Sequence, residues 1–251
     1  MTEPIEIPGT TEAFEVLKRF KYLRITDVTD ALDAVGRQDI CMLDPEIRPL
    51  WPGMKFWGVA LTLRAIPANR HMPRLTKEEA VQSHAIWFSE TPRANHMNLI
   101  QPGHVVVTST GGARETGIWG SNNSLGAVAR GAVGIVTDGV ARDTGELTMQ
   151  RTPVVSRGRG RTIIPGRIEF DGEQVAIGCG GVQVRPNDII GCDDDGVVVV
   201  PLEVAAEVAD FAAAILIDDM KGRRRLYERL KMPFDETVNV ELVEEYHREF
   251  A

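Results

Sequence analysis

Cysteine, lysine and tyrosine are scarce in this 251-residue chain, which has three cysteines, six lysines and three tyrosines. Cys41, Cys179 and Cys192 are too widely spaced for a metal knuckle or a redox pair, and their odd number does not make a disulfide framework, so a reducing, cytoplasmic setting is expected. Basic charge is also short. With 28 Lys and Arg against 36 Asp and Glu the net charge is −8, and no basic stripe exists to displace phosphate counterions, so nucleic acid is not an expected partner. The one dense basic run, Arg223, Arg224 and Arg225, is answered by Asp218, Asp219 and Glu228 and reads as a solvated or intersubunit face. No apolar run approaches the roughly 18 residues of a membrane span, and residues 1–9 carry acids where a signal peptide needs cations, so a soluble protein without a membrane partner is expected. The lysines, Lys18, Lys21, Lys55, Lys77, Lys221 and Lys231, fall in helical or exposed-looking stretches, Lys55 being the mild exception, which disfavours Schiff-base catalysis.

What is present suffices for one substantial core, since 43% of the residues are hydrophobic. A single domain over 1–251 is expected, with a core at about 25–202 and a helical extension at about 203–251. Phe14, Leu17 and Phe20 stand at helical spacing, and 26–33 reads as a second short helix. A strand at 59–63 follows Gly53 and Gly58. Residues 67–101 follow no long period. They hold His71, His84 and His96, with His104 just beyond, but no His-x-x-x-His pair, so these read as surface or hydrogen-bonded structural histidines. The segment reads as a substrate-shaping insertion or a subunit contact.

From His104 the pattern sharpens into a strand at 105–109, a glycine-rich loop at 110–117, a small-residue helix at 122–131 ended by Gly131, and a strand at 133–137. Such a unit predicts a crossover between parallel strands, whose carboxyl ends share one edge. The helix start near Gly120 and the loop after Thr137 then face one crevice. Short β-runs at 153–156, 167–170, 174–177, 182–184 and 196–200 predict strands packed over this unit. Residues 203–230 predict one long helix or two, with Val204, Val208, Phe211, Ile215 and Leu216 as the apolar stripe, and the tail carrying Tyr246 and Phe250 is expected on a neighbouring subunit. Neither Gly158-Arg159-Gly160 nor Gly178-Cys179-Gly180 continues to a third glycine or opens a helix, which disfavours a dinucleotide site.

The crevice gathers complementary groups. A helix start at Gly120, Ser121, Asn122 and Asn123 offers free N–H groups to a carboxylate. Arg142 can grip a carboxylate through two parallel hydrogen bonds or stabilise an oxyanion. Asp143 is a hard oxygen ligand suited to Mg2+ or Mn2+.

The ordered set of TDAL at 29–32, IRPLWPG at 47–53, GVALT at 58–62, PGHVVV at 102–107, Trp119-Gly120, ARGAVGIV at 129–136, Asp138-Gly139, Arg142-Asp143 and DIIGCDDDGVVVVP at 188–201 resembles the RraA-like family. That family includes class II 4-hydroxy-4-methyl-2-oxoglutarate/4-carboxy-4-hydroxy-2-oxoadipate aldolases and regulators of ribonuclease E activity. The resemblance implies an α/β sandwich of the swivelling phosphohistidine-domain type, with N-terminal helices and a C-terminal helical extension here. It also implies a substrate loop at Gly120, Ser121, Asn122 and Asn123, a substrate-binding and catalytic Arg142, a metal-binding and catalytic Asp143 with Mg2+ or Mn2+, and homotrimers or homohexamers with sites between subunits. A neighbour's acid contributes in the aldolases, and Asp218 or Asp219 is the counterpart here. Where the aldolases usually carry an acid after the loop glycine, this chain has Ser121; Glu115 is the nearby candidate to replace it. The expected reaction is metal-dependent C–C cleavage or decarboxylation of a 2-oxo acid through a pyruvate-type enolate, in a pocket more polar than in the pyruvate aldolases. The alternatives are a non-catalytic regulator of ribonuclease activity and a lyase or dehydratase for sugar-derived acids.

Overall fold

A computed structural model describes residues 8–113 and 115–250. The acidic amino-terminal stretch therefore lies outside the described residues up to Ile7, as does Arg114 in the glycine-rich loop. The chain opens with helices α1 (Thr10–Leu17) and α2 (Ile25–Ala34), runs through the short strand β1 (Arg48–Pro49), and enters the sheet at β2 (Phe56–Pro67). Helices α3 (Lys77–Val81), α4 (Ser83–Glu90) and α5 (His96–Leu99) follow, then β3 (His104–Ser109), β4 (Gly117–Trp119), α6 (Ser121–Val128), β5 (Gly134–Ala141) and α7 (Thr144–Met149). Strands β6 (Val154–Arg159), β7 (Ile168–Glu173), β8 (Ile177–Cys179), β9 (Val182–Val184), β10 (Ile189–Asp193) and β11 (Gly196–Val200) precede the 29-residue α8 (Leu202–Leu230) and α9 (Val240–Arg248).

One nine-stranded sheet runs β1-β6-β5-β3-β2-β10-β11, with β4 beside β5 and β7 beside β2. Its centre is parallel: β2 pairs β3, β3 pairs β5, and β5 pairs β6. Parallel strands are covered on both faces, so they read as continuous apolar runs, and every residue of β3 is buried. Side chains alternate across the sheet. Val105 and Val107 join Ala60, Val136 and Val155 in one cluster, whereas Val106 joins Leu61, Ile135 and Val154 in another. The far ends of the sheet approach each other. The Leu43 amide donates to Val197 O at 3.1 Å and the Val199 amide to Cys41 O at 2.8 Å, so the sheet is curled into a nearly closed barrel.

The predicted crossover is present, and Gly131, with φ of 107°, ends the turn after α6. Four expectations are corrected. The strands after residue 153 mostly extend this same sheet instead of packing over it, and only the β8–β9 hairpin stands apart. The strand at 174–177 gives way to a turn: Gln174 has φ of 52°, its amide donates to Thr62 O at 2.8 Å, and its Oε1 accepts the Thr62 amide at 3.0 Å. Helix α8 is continuous, but its buried face is chiefly small, with Ala205, Ala209, Ala212 and Ala213 beside Val208, Leu216 and Met220, while Phe211 is 42% exposed. The alanines admit α2 closely. The tail folds onto its own chain, where the Tyr246 hydroxyl donates to Lys18 O at 2.7 Å and Phe250 lies against Arg19. No helix among the described residues is long and apolar enough to cross a membrane. Cys41, Cys179 and Cys192 are buried free thiols.

Candidate functional site

The carboxyl ends of β4 and β5 bring the two predicted segments into contact. The Arg142 amide donates to Trp119 O at 2.9 Å, which fixes Arg142 and Asp143 beside the start of α6. Gly120 precedes that helix in an extended conformation and offers no side-chain cap. Asp143 supplies the cap instead. Its Oδ2 accepts the Ser121 amide at 3.2 Å and lies 3.5 Å from the Ser121 hydroxyl, which donates to it. Arg142 Nε donates to the other carboxylate oxygen at 3.3 Å. A Cβ on residue 120 would stand 2.6 Å from Asp143 Oδ2 and 3.0 Å from Arg142 Cγ, so glycine is what permits this approach. The first bond of α6 is from the Ser124 amide to Gly120 O at 3.0 Å, so the amides of Asn122 and Asn123 lie in the unbonded first turn.

Asp143 is held in a left-handed conformation, φ 53° and ψ 38°, at the start of α7. Aspartate tolerates this region better than most residues, and such strain collects at functional positions. Asp138, five residues earlier in a motif position, is structural: its Oδ1 accepts the Thr110 amide at 2.8 Å and the Thr110 hydroxyl at 3.0 Å, tying the loop after β3 to β5. Trp119 is anchored by donating its indole N–H to Thr108 Oγ1 at 3.1 Å.

These groups line a pocket of about 650 Å³ that contains Gly120, Asn122, Asn123, Arg142 and Asp143. Its other wall comes from α3 to α5 and the turns between them, so the 67–101 segment does shape the cavity. That wall supplies His84, Arg93 and His96, which sequence reasoning did not select. His84 stands at the rim, and partial burial followed by the charge of Arg142 holds its pKa below the ordinary value. His96 is held down to about 4 by burial and, secondarily, by Arg130, so it is neutral near pH 7. Its Nδ1 is buried without a hydrogen-bond partner, and its ring meets Trp119 edge-on at 5.8 Å. His104, by contrast, is structural, with Nδ1 accepting the Gln101 amide at 3.0 Å.

Three candidates stand away from this pocket. Glu115 is exposed and faces Arg161 at 3.6 Å, away from Ser121 within one chain. Asp219 pairs with Arg24 at 2.7 Å and with Arg223; the Arg24 hydrogen bond, ahead of the Arg223 charge, holds its carboxyl below the usual range. Asp218 is exposed on the same helix. None of the three lines the pocket within one chain.

Fold and site together define a mixed α/β protein that presents a helix start, a guanidinium and a carboxylate at one sheet edge. The RraA-like family model, described as Aldolase/RraA, matches residues 25–199, and the chain belongs to this family. It is similar to protein DlpA of Legionella pneumophila, 28% identical over 193 residues, which are 77% of this chain but 28% of that protein. It is also similar to a Halalkalibacterium halodurans protein named "Putative 4-hydroxy-4-methyl-2-oxoglutarate aldolase", 26% identical over 86% of this chain and 90% of the relative. Among solved structures, Streptomyces coelicolor RraAS2, described as an unusual member of the RNase ES inhibitor RraA protein family, superposes with a TM-score of 0.68 at 25% identity, covering 88% of this chain and 99% of that one. The chain thus spans under a third of the Legionella protein, but nearly all of RraAS2.

Proposed function

We propose that this chain is a lyase of 2-oxo acids that works through an enolate. The observation that carries the reading is the convergence of Arg142 and the unbonded first turn of α6 on one pocket. The substrate carboxylate is held by the amides of Asn122 and Asn123. Arg142 steadies the negative charge that grows on the 2-oxo oxygen as the C–C bond breaks. His84 faces the same space as a neutral imidazole and accepts the proton of the substrate hydroxyl on a ring nitrogen. The apolar wall excludes water from the carbanion.

The donor set fits a sparsely ligated Mg2+ or Mn2+. Among the described residues, Asp143 is the only carboxylate on the pocket lining, and no group of three or more His, Cys, Asp or Glu suited to a metal occurs. One carboxylate is compatible with Mg2+, which keeps several waters and takes further oxygens from its substrate. Asp143 would hold the cation, whose contribution when bound is Lewis acidity toward the 2-oxo group. All six lysines are exposed and none lines the pocket, which agrees with a mechanism that forms no Schiff base.

The test is a lactate-dehydrogenase-coupled assay of pyruvate release over a panel of 4-hydroxy-2-oxo acids and oxaloacetate, with Mg2+ or Mn2+. Release is expected to stop with EDTA and return with excess cation. Undiminished release in EDTA removes the metal from the proposal. The proton role of His84 has its own signature. Because its pKa is lowered, the imidazole stays competent below the usual range, and kcat/KM should decline only as pH falls below the ordinary range of histidine titration. That acid limb should vanish in His84→Gln; an unchanged limb assigns the proton to another group.

Assembly as a homotrimer or homohexamer belongs to the same reading. Asp218 and Asp219 lie off the pocket of their own chain and would serve only across a subunit boundary. The regulator reading draws on Ser121, where the aldolases usually carry an acid, and on the likeness to RraAS2. A chain that releases no pyruvate from any member of the panel, yet inhibits a ribonuclease E-type enzyme, would take that description.

A further inference from the structure

The pocket is chemically two-sided. Its charged and polar groups, Arg142, Asp143, Asn122 and Asn123, gather at the sheet edge. The rest of the lining sets Gln82, His84, Arg93 and His96 among apolar side chains from elements far apart in sequence: Leu63 of β2, Phe88 of α4, Met97 of α5, Ile164 before β7 and Phe170 of β7. Phe88 and Phe170 are stacked on each other, with centroids 5.8 Å apart and planes inclined by 11°, and both line the pocket, so the pair forms an aromatic cluster in its wall. A volume of about 650 Å³ falls within the range of roughly 300–1,000 Å³ that encloses drug-sized ligands, and a three-carbon oxo acid would leave most of it to water.

Resting on the lyase reading above, we propose that this pocket selects 2-oxo acids bearing a bulky apolar group, preferably aromatic, at the end remote from the carboxylate. The carboxylate takes the first turn of α6 and the adjoining 2-oxo oxygen takes Arg142. The remote group lies against the Phe88–Phe170 cluster, where edge or face contact with the rings adds to the burial of apolar area. The competing class is a dicarboxylic oxo acid whose second carboxylate reaches Arg93. Arg93 is exposed, so a contact there is largely screened by water.

For 4-hydroxy-2-oxo-4-phenylbutanoate the chemistry balances without a further reactant. The C3–C4 bond breaks and its electron pair passes into the enolate of pyruvate. The hydroxyl proton leaves to the base as C4–O becomes the carbonyl of benzaldehyde, and C3 then takes up one proton.

Binding and turnover are read separately, so that the two proposals fail separately. Calorimetric titration with phenylpyruvate and with 2-oxoglutarate, in the presence of Mg2+, is expected to give a Kd at least about tenfold lower for phenylpyruvate. Phe88→Ala should remove most of that preference and leave 2-oxoglutarate within about twofold, while Phe88→Leu, which keeps an apolar wall, retains part of it. Phe88 is only partly buried, so the variants are expected to fold, and circular dichroism checks this. Equal or tighter binding of 2-oxoglutarate, no binding of phenylpyruvate, or an equal loss for both ligands in Phe88→Ala overturns the proposal. Selective binding of phenylpyruvate with no pyruvate released from 4-hydroxy-2-oxo-4-phenylbutanoate supports the selectivity and overturns the lyase reading alone.

Discussion

Arg142→Ala is expected to retain no more than about 1% of wild-type turnover, the scale of losing one donor to a developing oxyanion. Arg142 meets charge that is greater in the transition state than in the bound substrate, so kcat and kcat/KM should fall together while KM changes little. The fold should not notice. The Arg142 amide keeps its bond to Trp119 O whatever the side chain, and the guanidinium is 33% exposed with one ion pair, to Asp143 at 3.3 Å. Such partly exposed pairs are worth about 0–1 kcal/mol. Arg142→Lys should recover only part of the rate, because an ammonium cannot offer two parallel donors. Steady-state kinetics decides this, and a near-normal rate in Arg142→Ala takes the residue out of the mechanism.

The contact between Gly120-Ser121 and Arg142-Asp143 was legible in the sequence for a topological reason. A strand–helix–strand unit of this length places parallel strands side by side, and their carboxyl ends then share an edge. The structure closes the gap with the hydrogen bond from the Ser121 amide to Asp143 Oδ2. The opposite wall was not legible. Helices α3, α4 and α5 have 5, 8 and 4 residues, too short for intrinsic propensity to hold them, so they exist by packing against the sheet and leave no periodic trace. His84, Phe88 and His96 thus join Arg142 on the pocket lining through tertiary structure alone. Their only sequence signal was the concentration of histidines in an otherwise irregular stretch. The same blindness applies to α8: the larger apolar residues suggested a stripe through Phe211, but close helix packing selects the alanines beside it.

Ser121 becomes easier to interpret with that wall in place. An acid at this position would sit directly beside Asp143 Oδ2, where two carboxylates repel unless a cation lies between them. Serine instead directs two donors at Asp143 and leaves it the sole anion of the pocket lining. Proton transfer then falls to a group on the other wall, and His84 is the titratable one placed at the rim beside Arg142.

Asp143→Asn separates what that carboxylate does for the fold from what it does for chemistry. At φ 53° and ψ 38°, asparagine is at least as comfortable as aspartate, whereas alanine would add strain to any loss of function. The amide oxygen of Asn can still accept the Ser121 N–H and so keep the cap on α6. The melting temperature should therefore stay within a few degrees, corresponding to about 1 kcal/mol or less. Activity should not survive. A neutral amide is a poor ligand for a hard cation at a site with no second carboxylate, and it removes the counter-charge that orients Arg142. Pyruvate release is expected to fall by at least about 100-fold, comparable to losing an oxyanion donor, and excess Mg2+ or Mn2+ should restore part of it if weakened metal binding is the cause. Thermal melts run beside the coupled assay read the two effects independently. A folded Asp143→Asn protein with wild-type turnover that also persists in EDTA would leave neither a metal nor Asp143 any part in the reaction.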